Sequence, residues 1–342
     1  MKLLSIITLA ILNFCLVSAI PTKVQRNGKF IFWITGASSG KCSIYGLDSE
    51  YKNAKEIIVP SYFVVEGEKY YVTEIMNGAF ANEKFEKVTF DFSGRNDVEL
   101  IDSSFLNCKN LKEIYVIGGQ ITVNSNAFTG TKDVIFNGPG YSTFAKRLGE
   151  KLLKSWGLPV NYKGYEEAGT ESRNKKMTDL YKLAKKIKEN FNQYNWGSAG
   201  NNFASIIIYR TGNIRGLHMV YRELARIMGV DANTFLTVSD GSCTFWSYIQ
   251  FKYDKWYDTW YSVDIINYNY SKYTGSTYPS DFFMKTSKVI THLSDISCNY
   301  NKDPSKWYVY LARFGSDYDY SISTRELIDD YIKKNKLGGD RA

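Results

Sequence analysis

Ile75-Met76-Asn77-Gly78-Ala79-Phe80, Ile101-Asp102-Ser103-Ser104-Phe105 and Val123-Asn124-Ser125-Asn126-Ala127-Phe128 are one phrase written three times. Their phenylalanines stand 25 and then 23 residues apart. Each is followed by a polar turn and an apolar, strand-like run: Val88-Thr89-Phe90, Leu111-Lys112-Glu113-Ile114-Tyr115-Val116 and Val134-Ile135-Phe136. A unit this short cannot close a core alone, so successive units must stack with their aliphatic and Phe positions in register. The spacing predicts a solenoid.

The offsets resemble the BspA-type (Treponema pallidum-type) leucine-rich repeat. Phe105-Leu106-Asn107-Cys108-Lys109-Asn110-Leu111-Lys112-Glu113-Ile114 carries the closest match. The approach fits too, with Glu56-Ile57-Ile58-Val59-Pro60 and Tyr71-Val72-Thr73-Glu74-Ile75. The closing Asn137-Gly138-Pro139-Gly140-Tyr141-Ser142, the amphipathic stretch after it and Ser155-Trp156-Gly157-Leu158-Pro159-Val160 resemble the family's cap. The resemblance covers about residues 29 to 162. It implies an inward-packed, structural Cys108 and, by analogy with the family, extracellular binding of protein or glycan.

The chain opens with Lys2, an apolar run from Leu3 to Val17 and the small-residue site Val17-Ser18-Ala19. That pattern predicts a signal peptide over residues 1–19 and a secreted, extracellular protein. The run is too short for a membrane span of ~20 residues, and no second one follows. A secreted address argues against a nucleic-acid partner. Of the five cysteines, Cys15 falls in the signal. Cys42, Cys108, Cys243 and Cys298 remain, open to disulfides in any of three pairings. With no C-x-x-C pair and only His218 and His292 as imidazoles, there is no zinc pattern. No metal or other cofactor is expected. Asn269-Tyr270-Ser271 is a glycosylation sequon.

With 342 residues the chain is long enough for two domains. Aromatic content is 16%, with 27 Tyr, and stretches such as Trp256-Tyr257-Asp258-Thr259-Trp260-Tyr261 read as aromatic strands, with a sugar-stacking surface as the alternative. The formal charge is +8. Its one concentration, Arg173, Lys175, Lys176, Lys182, Lys185, Lys186 and Lys188, faces only Asp179 and reads as a solvated helix side. Attraction to an acidic glycan or anionic surface is the alternative.

Residues 20–162 are therefore expected to form the repeat domain and 163–176 a polar linker. A second domain is expected over 177–342, opening with a helix whose Met177, Leu180, Ala184, Ile187 and Phe191 share a face. The apolar Ala204 to Tyr209, the turn Gly212-Asn213-Ile214-Arg215-Gly216 and a helix from Met219 to Met228 follow. Ser323-Thr324-Arg325-Glu326 is a capping box opening a last helix through Lys336.

The order of glycine-flanked helix start, aromatic strand and Trp260-Tyr261-Ser262-Val263-Asp264 resembles the transglutaminase-like superfamily over residues 177–270. That resemblance implies a papain-like fold, so the whole chain is expected to be α+β. It also implies a cysteine nucleophile at the helix N-terminus, where the dipole favours thiolate, a histidine base on the next strand and an aspartate to orient it. Here Ile214 stands at the nucleophile position and Thr244 at the base, and only Asp264 matches. Isoleucine has no proton or lone pair to offer, and threonine is no base near neutral pH. A displaced set, His218 with Cys243, is the alternative; adjacent strand side chains point oppositely, so Thr244 and Cys243 cannot both line one cleft. With no histidine to orient, Asp264 reads as a turn cap. The sequence thus reads as an extracellular binding or adhesion protein with a degenerate enzyme domain, against an active thiol hydrolase or acyltransferase. It carries no signal of oligomeric state.

Overall fold

The computed structural model describes residues 24–36, 39–93, 97–193, 198–231, 234–239, 245–250, 260–263, 265, 283–290, 308–311 and 320–322. The expected signal peptide, the sequon, His292 and the expected last helix lie outside them. The chain is α+β and divides into two compact units. One comprises Met1–Leu111 with Gly118–Thr131, the other Lys112–Ile117 with Lys132–Ala342.

Among the described residues, eleven strands precede the first α-helix. They are β1 (Val24–Asn27), β2 (Phe30–Gly36), β3 (Lys41–Leu47), β4 (Glu56–Pro60), β5 (Tyr62–Val65), β6 (Glu68–Ile75), β7 (Lys87–Asp91), β8 (Asp97–Leu100), β9 (Glu113–Gly118), β10 (Gln120–Val123) and β11 (Ile135–Asn137). In the first unit, β1, β2 and β3 are antiparallel neighbours. Then β3, β6, β8 and β10 run parallel, in that order. The register follows the repeat with one correction: Ile75 pairs with Leu100 and Leu100 with Val123, so Leu100 and not the expected Ile101 fills the aliphatic slot, five residues before its phenylalanine as in the other two repeats. The Ile75, Leu100 and Val123 side chains are buried. The turns stack as well. Phe80 N–H donates to Ser104 O at 2.9 Å and Phe105 N–H to Ala127 O at 2.8 Å.

The repeat phenylalanines form the expected ladder. The Phe80 and Phe105 ring centroids are 5.2 Å apart and those of Phe105 and Phe128 5.1 Å, and all three residues are buried. Each such burial contributes roughly 1.5–3 kcal/mol, so Phe105→Ala, which opens the middle rung, should cost about 3–5 kcal/mol. Two residues beyond each phenylalanine the chain enters the left-handed region, at Asn82 (φ 63°), Asn107 (φ 58°) and Gly130 (φ 79°). Asn tolerates that region and Gly prefers it. At Gly130 a Cβ would also overlap the Asn107 side-chain oxygen.

In the second unit β9 and β11 pair in parallel, Ile114 opposite Phe136. α1 (Tyr141–Ser155) follows at once and lays Phe144 on Phe136, centroids 5.4 Å apart. The stretch expected to be a linker is structured. Residues Lys163–Glu166 form a 3-10 turn, and α2 (Thr170–Asn190) starts seven residues before Met177. After the two-residue strand β12 (Asn192–Gln193), the apolar run becomes a short helix, α3 (Phe203–Tyr209). It leads through β13 (Thr211–Gly212) into α4 (Ile214–Met228). The carbonyls ending α4 are taken up by the N–H groups of Asn161 and Tyr162, on Ile227 O and Met228 O at 2.8 Å each. Beyond lie β14 (Phe235–Ser239), β15 (Phe245–Gln250), β16 (Trp260–Val263), β17 (Phe283–Ile290), β18 (Tyr308–Leu311) and β19 (Tyr320–Ile322). They make an antiparallel sheet in the order β17-β16-β15-β14-β18-β19.

The end of the repeat is sealed from within this unit. Asn202, the N-cap of α3, donates its Nδ2 to Phe136 O at 2.9 Å, and Ser205 Oγ contacts Val134 O. Both side chains are buried. Side chains of a helix thus meet the carbonyls that another repeat's N–H groups would otherwise take, as a buried backbone edge requires.

The disulfide expectation is corrected at two positions. Cys42 and Cys108 are free, buried thiols. Cys42 donates to Tyr70 O at 3.3 Å and Cys108 to Phe80 O at 2.9 Å. Each thiol is spent on a backbone carbonyl inside the core, and burial pushes both up to about 12. Cys243 and Cys298 lie outside the described residues.

Candidate functional site

Of the catalytic positions inferred from the sequence, Ile214 stands at the start of α4. Asn213 caps that helix, its Oδ1 accepting from Gly216 N at 2.8 Å, and Ile214 is the first helical residue. Ile214 is half-buried and purely apolar. The glycine of this turn has a packing reason independent of chemistry, since a Cβ at Gly216 would overlap the Gly200 carbonyl oxygen. A close helix–backbone approach therefore writes the same glycine signature that a nucleophile turn would.

His218 lies one turn further into α4 and is wholly buried. Its Nδ1 is 3.0 Å from Oγ of Ser247 on β15, also wholly buried. A hydroxyl beside an imidazole is the ingredient of a nucleophile and base. Here neither atom meets solvent, so the contact satisfies two core polar groups. Ser247 and Ile249 share the buried side of β15, and Phe235, paired with Ile249, packs on Tyr221 of α4 at 4.9 Å. Thr244, Cys243 and Asp264 lie outside the described residues. Of the named site positions, only Ile214 and His218 are placed, and they sit on one helix a turn apart.

Sequence reasoning missed Ser247, whose only signal is one small polar residue inside Phe245-Trp246-Ser247-Tyr248. The basic stretch is a solvated helix side only in part, with Lys182 and Lys185 exposed. Lys176 is buried and bridges Glu166 at 2.8 Å and Thr234 Oγ1 at 2.8 Å. Lys175 pairs with Asp179 at 2.9 Å, and Lys188 donates to Ile265 O at 3.2 Å. Tyr165 donates to Asp179 at 2.9 Å, and its hydroxyl is raised above the usual tyrosine range by burial and by that carboxylate. Lys176 and Lys188 thus tie α2 to residues outside it, and Lys175 pairs within the helix; a buried ammonium such as that of Lys176 is tolerated only when paired and hydrogen-bonded.

A third cluster gathers the ends of three helices. Trp156, Phe191 and Arg210 are the C-caps of α1, α2 and α3. The Arg210 guanidinium carbon lies 5.9 Å from the Trp156 ring and 5.1 Å from the Phe191 ring. The two rings meet edge to face at 6.1 Å. Among the described residues no group of three or more His, Cys, Asp or Glu could hold a metal, and no helix is long and apolar enough to cross a membrane.

Among solved structures, the chain is similar to a leucine-rich repeat protein from Bacteroides capillosus ATCC 29799, at 20% identity and a TM-score of 0.25, over 34% of this chain and 99% of that one. It is also similar to a leucine rich cell surface protein from Faecalibacterium prausnitzii A2-165, at 15% identity and a TM-score of 0.24, over 37% of this chain and 42% of that one. At such TM-scores these likenesses carry no weight for fold or role. No family model matches the chain, and no curated protein matches it.

Proposed function

We propose that this is a secreted, extracellular binding or adhesion protein in which a leucine-rich-repeat solenoid is joined to a degenerate transglutaminase-like domain that performs no thiol chemistry. The observation that carries the reading is Ile214 as first residue of α4. A helix N-terminus activates a thiol there, and the residue has no reactive atom. The burial of His218 against Ser247 supports it, since a base for the displaced set would have to leave the core. A helix followed by the antiparallel β14-β15-β16 agrees with the element order that the superfamily resemblance implies. The stacked strands and phenylalanine ladder support the repeat reading.

The test is binding of the full chain to glycan and peptide arrays, beside iodoacetamide labelling of the native, unreduced protein. Saturable binding to a defined set, with Cys42 and Cys108 unlabelled until denaturation, is the expected result. Absence of binding to either array, together with rapid labelling and loss of an amidase or acyl-transfer activity, would overturn the reading.

A further inference from the structure

We propose that Arg210, packed against Trp156 and Phe191, anchors a carboxylate-bearing saccharide. The inference rests on the extracellular-binding reading and assigns it a site.

Three observations carry it. Arg210 holds a left-handed backbone, φ 57° and ψ 29°, a conformation that costs an arginine energy and that glycine would supply freely. Its guanidinium lies against two aromatic rings, Phe191 buried and Trp156 half-buried. Among the described residues it has no ion pair, and Nη1 is buried without a hydrogen-bond partner. Arg210 is half-buried as a whole, and Nη1 is the guanidinium nitrogen that is both buried and unpartnered. Burial lowers the affinity of this group for its proton, the direction expected when no anion sits beside it.

The C-termini of three helices do place partial negative charge nearby, and that field helps to hold the cation. Helix dipoles do not match the guanidinium fork, however, and the N–H groups need acceptor atoms. A carboxylate on the Nε–Nη2 edge would supply two of them in the plane that arginine favours. The half-exposed Trp156 ring beside it offers a flat apolar surface for the C–H face of a sugar. Exposed Lys154, in the last turn of α1, adds positive charge against the helix ends. A uronic acid presents both features, a carboxylate and a C–H face, on one ring.

The test is titration calorimetry of the full chain at low salt with an unsulfated oligosaccharide of alternating glucuronate and N-acetylglucosamine. Its carboxyl-reduced neutral form and an Asp-Gly peptide serve as the other probes. The acidic saccharide should bind, the neutral form should bind at least tenfold more weakly, and Arg210→Gln should lose at least tenfold. Arg210→Lys keeps the charge without the fork and should fall between, with circular dichroism and melting showing that each variant is folded. Equal binding of neutral and acidic saccharide, unchanged binding by folded Arg210→Gln, or preference for the peptide would overturn the assignment. If array ligands bind the wild type and folded Arg210→Gln equally, the site is wrong and the binding reading stands. If nothing binds the wild type in either experiment, both fall.

Discussion

Replacing Asn202 with alanine tests how the repeat is closed. The Asn202 side chain does two things. Its Oδ1 caps α3, accepting from Ser205 N at 3.1 Å, and its Nδ2 donates to Phe136 O at 2.9 Å. Loss of an N-cap costs about 1 kcal/mol, and removing a buried donor from its acceptor costs roughly 1–3 kcal/mol. Ser205 Oγ has a single proton for two acceptors, Asn202 Oδ1 at 2.8 Å and Val134 O. In the variant that proton is free to settle on Val134 O, which recovers a little. The expected total is therefore about 2–4 kcal/mol, confined to the unit that contains β11, α1 and α3. Because the chain has two compact units, a single melting temperature would mix their transitions. Hydrogen exchange read by mass spectrometry on peptides covering residues 132–160 and 198–210 isolates the right one. Protection there should fall by a factor of about 30 to several hundred, while peptides covering residues 68–92 should not change. A loss of less than about 0.5 kcal/mol in the first set, or an equal loss in both, would refute the capping argument.

Two further substitutions and one titration follow from the same contacts. Ser104 occupies the slot held by Ala79 and Ala127 in the other repeats, and its Oγ is buried without a partner. Ser104→Ala should stabilise the first unit by about 1 kcal/mol in urea unfolding, and destabilisation would show that the hydroxyl is bonded. Ser247→Ala takes away the hydroxyl on His218 Nδ1 and should cost about 1–3 kcal/mol, with a neutral result meaning that the contact carries no stability. Cys42 and Cys108, held up at about 12 against an ordinary value of 9.0, contribute stability that is whole below pH 9 and lost as pH rises toward 12. The sign follows because the unfolded thiol ionises first. At pH 10 the loss should be on the order of 1 kcal/mol per thiol, and replacing both by alanine should flatten the profile between pH 9 and 11. A slope that survives both replacements would place its origin elsewhere.

The repeats were legible because their signal is local and recurs. Phe80, Phe105 and Phe128 end each phrase and stack, whereas the aliphatic slot of the middle repeat is Leu100, one residue before the Ile101 that the sequence phrase points to. The polar stretch at 163–176 reads as a linker for an equally local reason. Tyr165, Glu166, Lys175 and Lys176 look solvated until their partners are known. Those partners include Thr234, 58 residues beyond Lys176, and no window along the chain shows such pairing. The turn before α4 misleads differently. Gly216 is needed because Gly200 O lies against it, so glycine there records packing as well as any former chemistry. Arg210, Trp156 and Phe191 come from three helix ends far apart in sequence, and no period or motif links them.

The most direct test of the central claim is the mass of a ligand after it has been bound. The full chain, incubated overnight with the glycan and peptide that it retains best, should return both at unchanged mass, with identical yield after iodoacetamide treatment. Recovery of hydrolysed or amine-linked product, abolished by iodoacetamide, would contradict the account. A thiol would then be doing the work that Ile214 cannot.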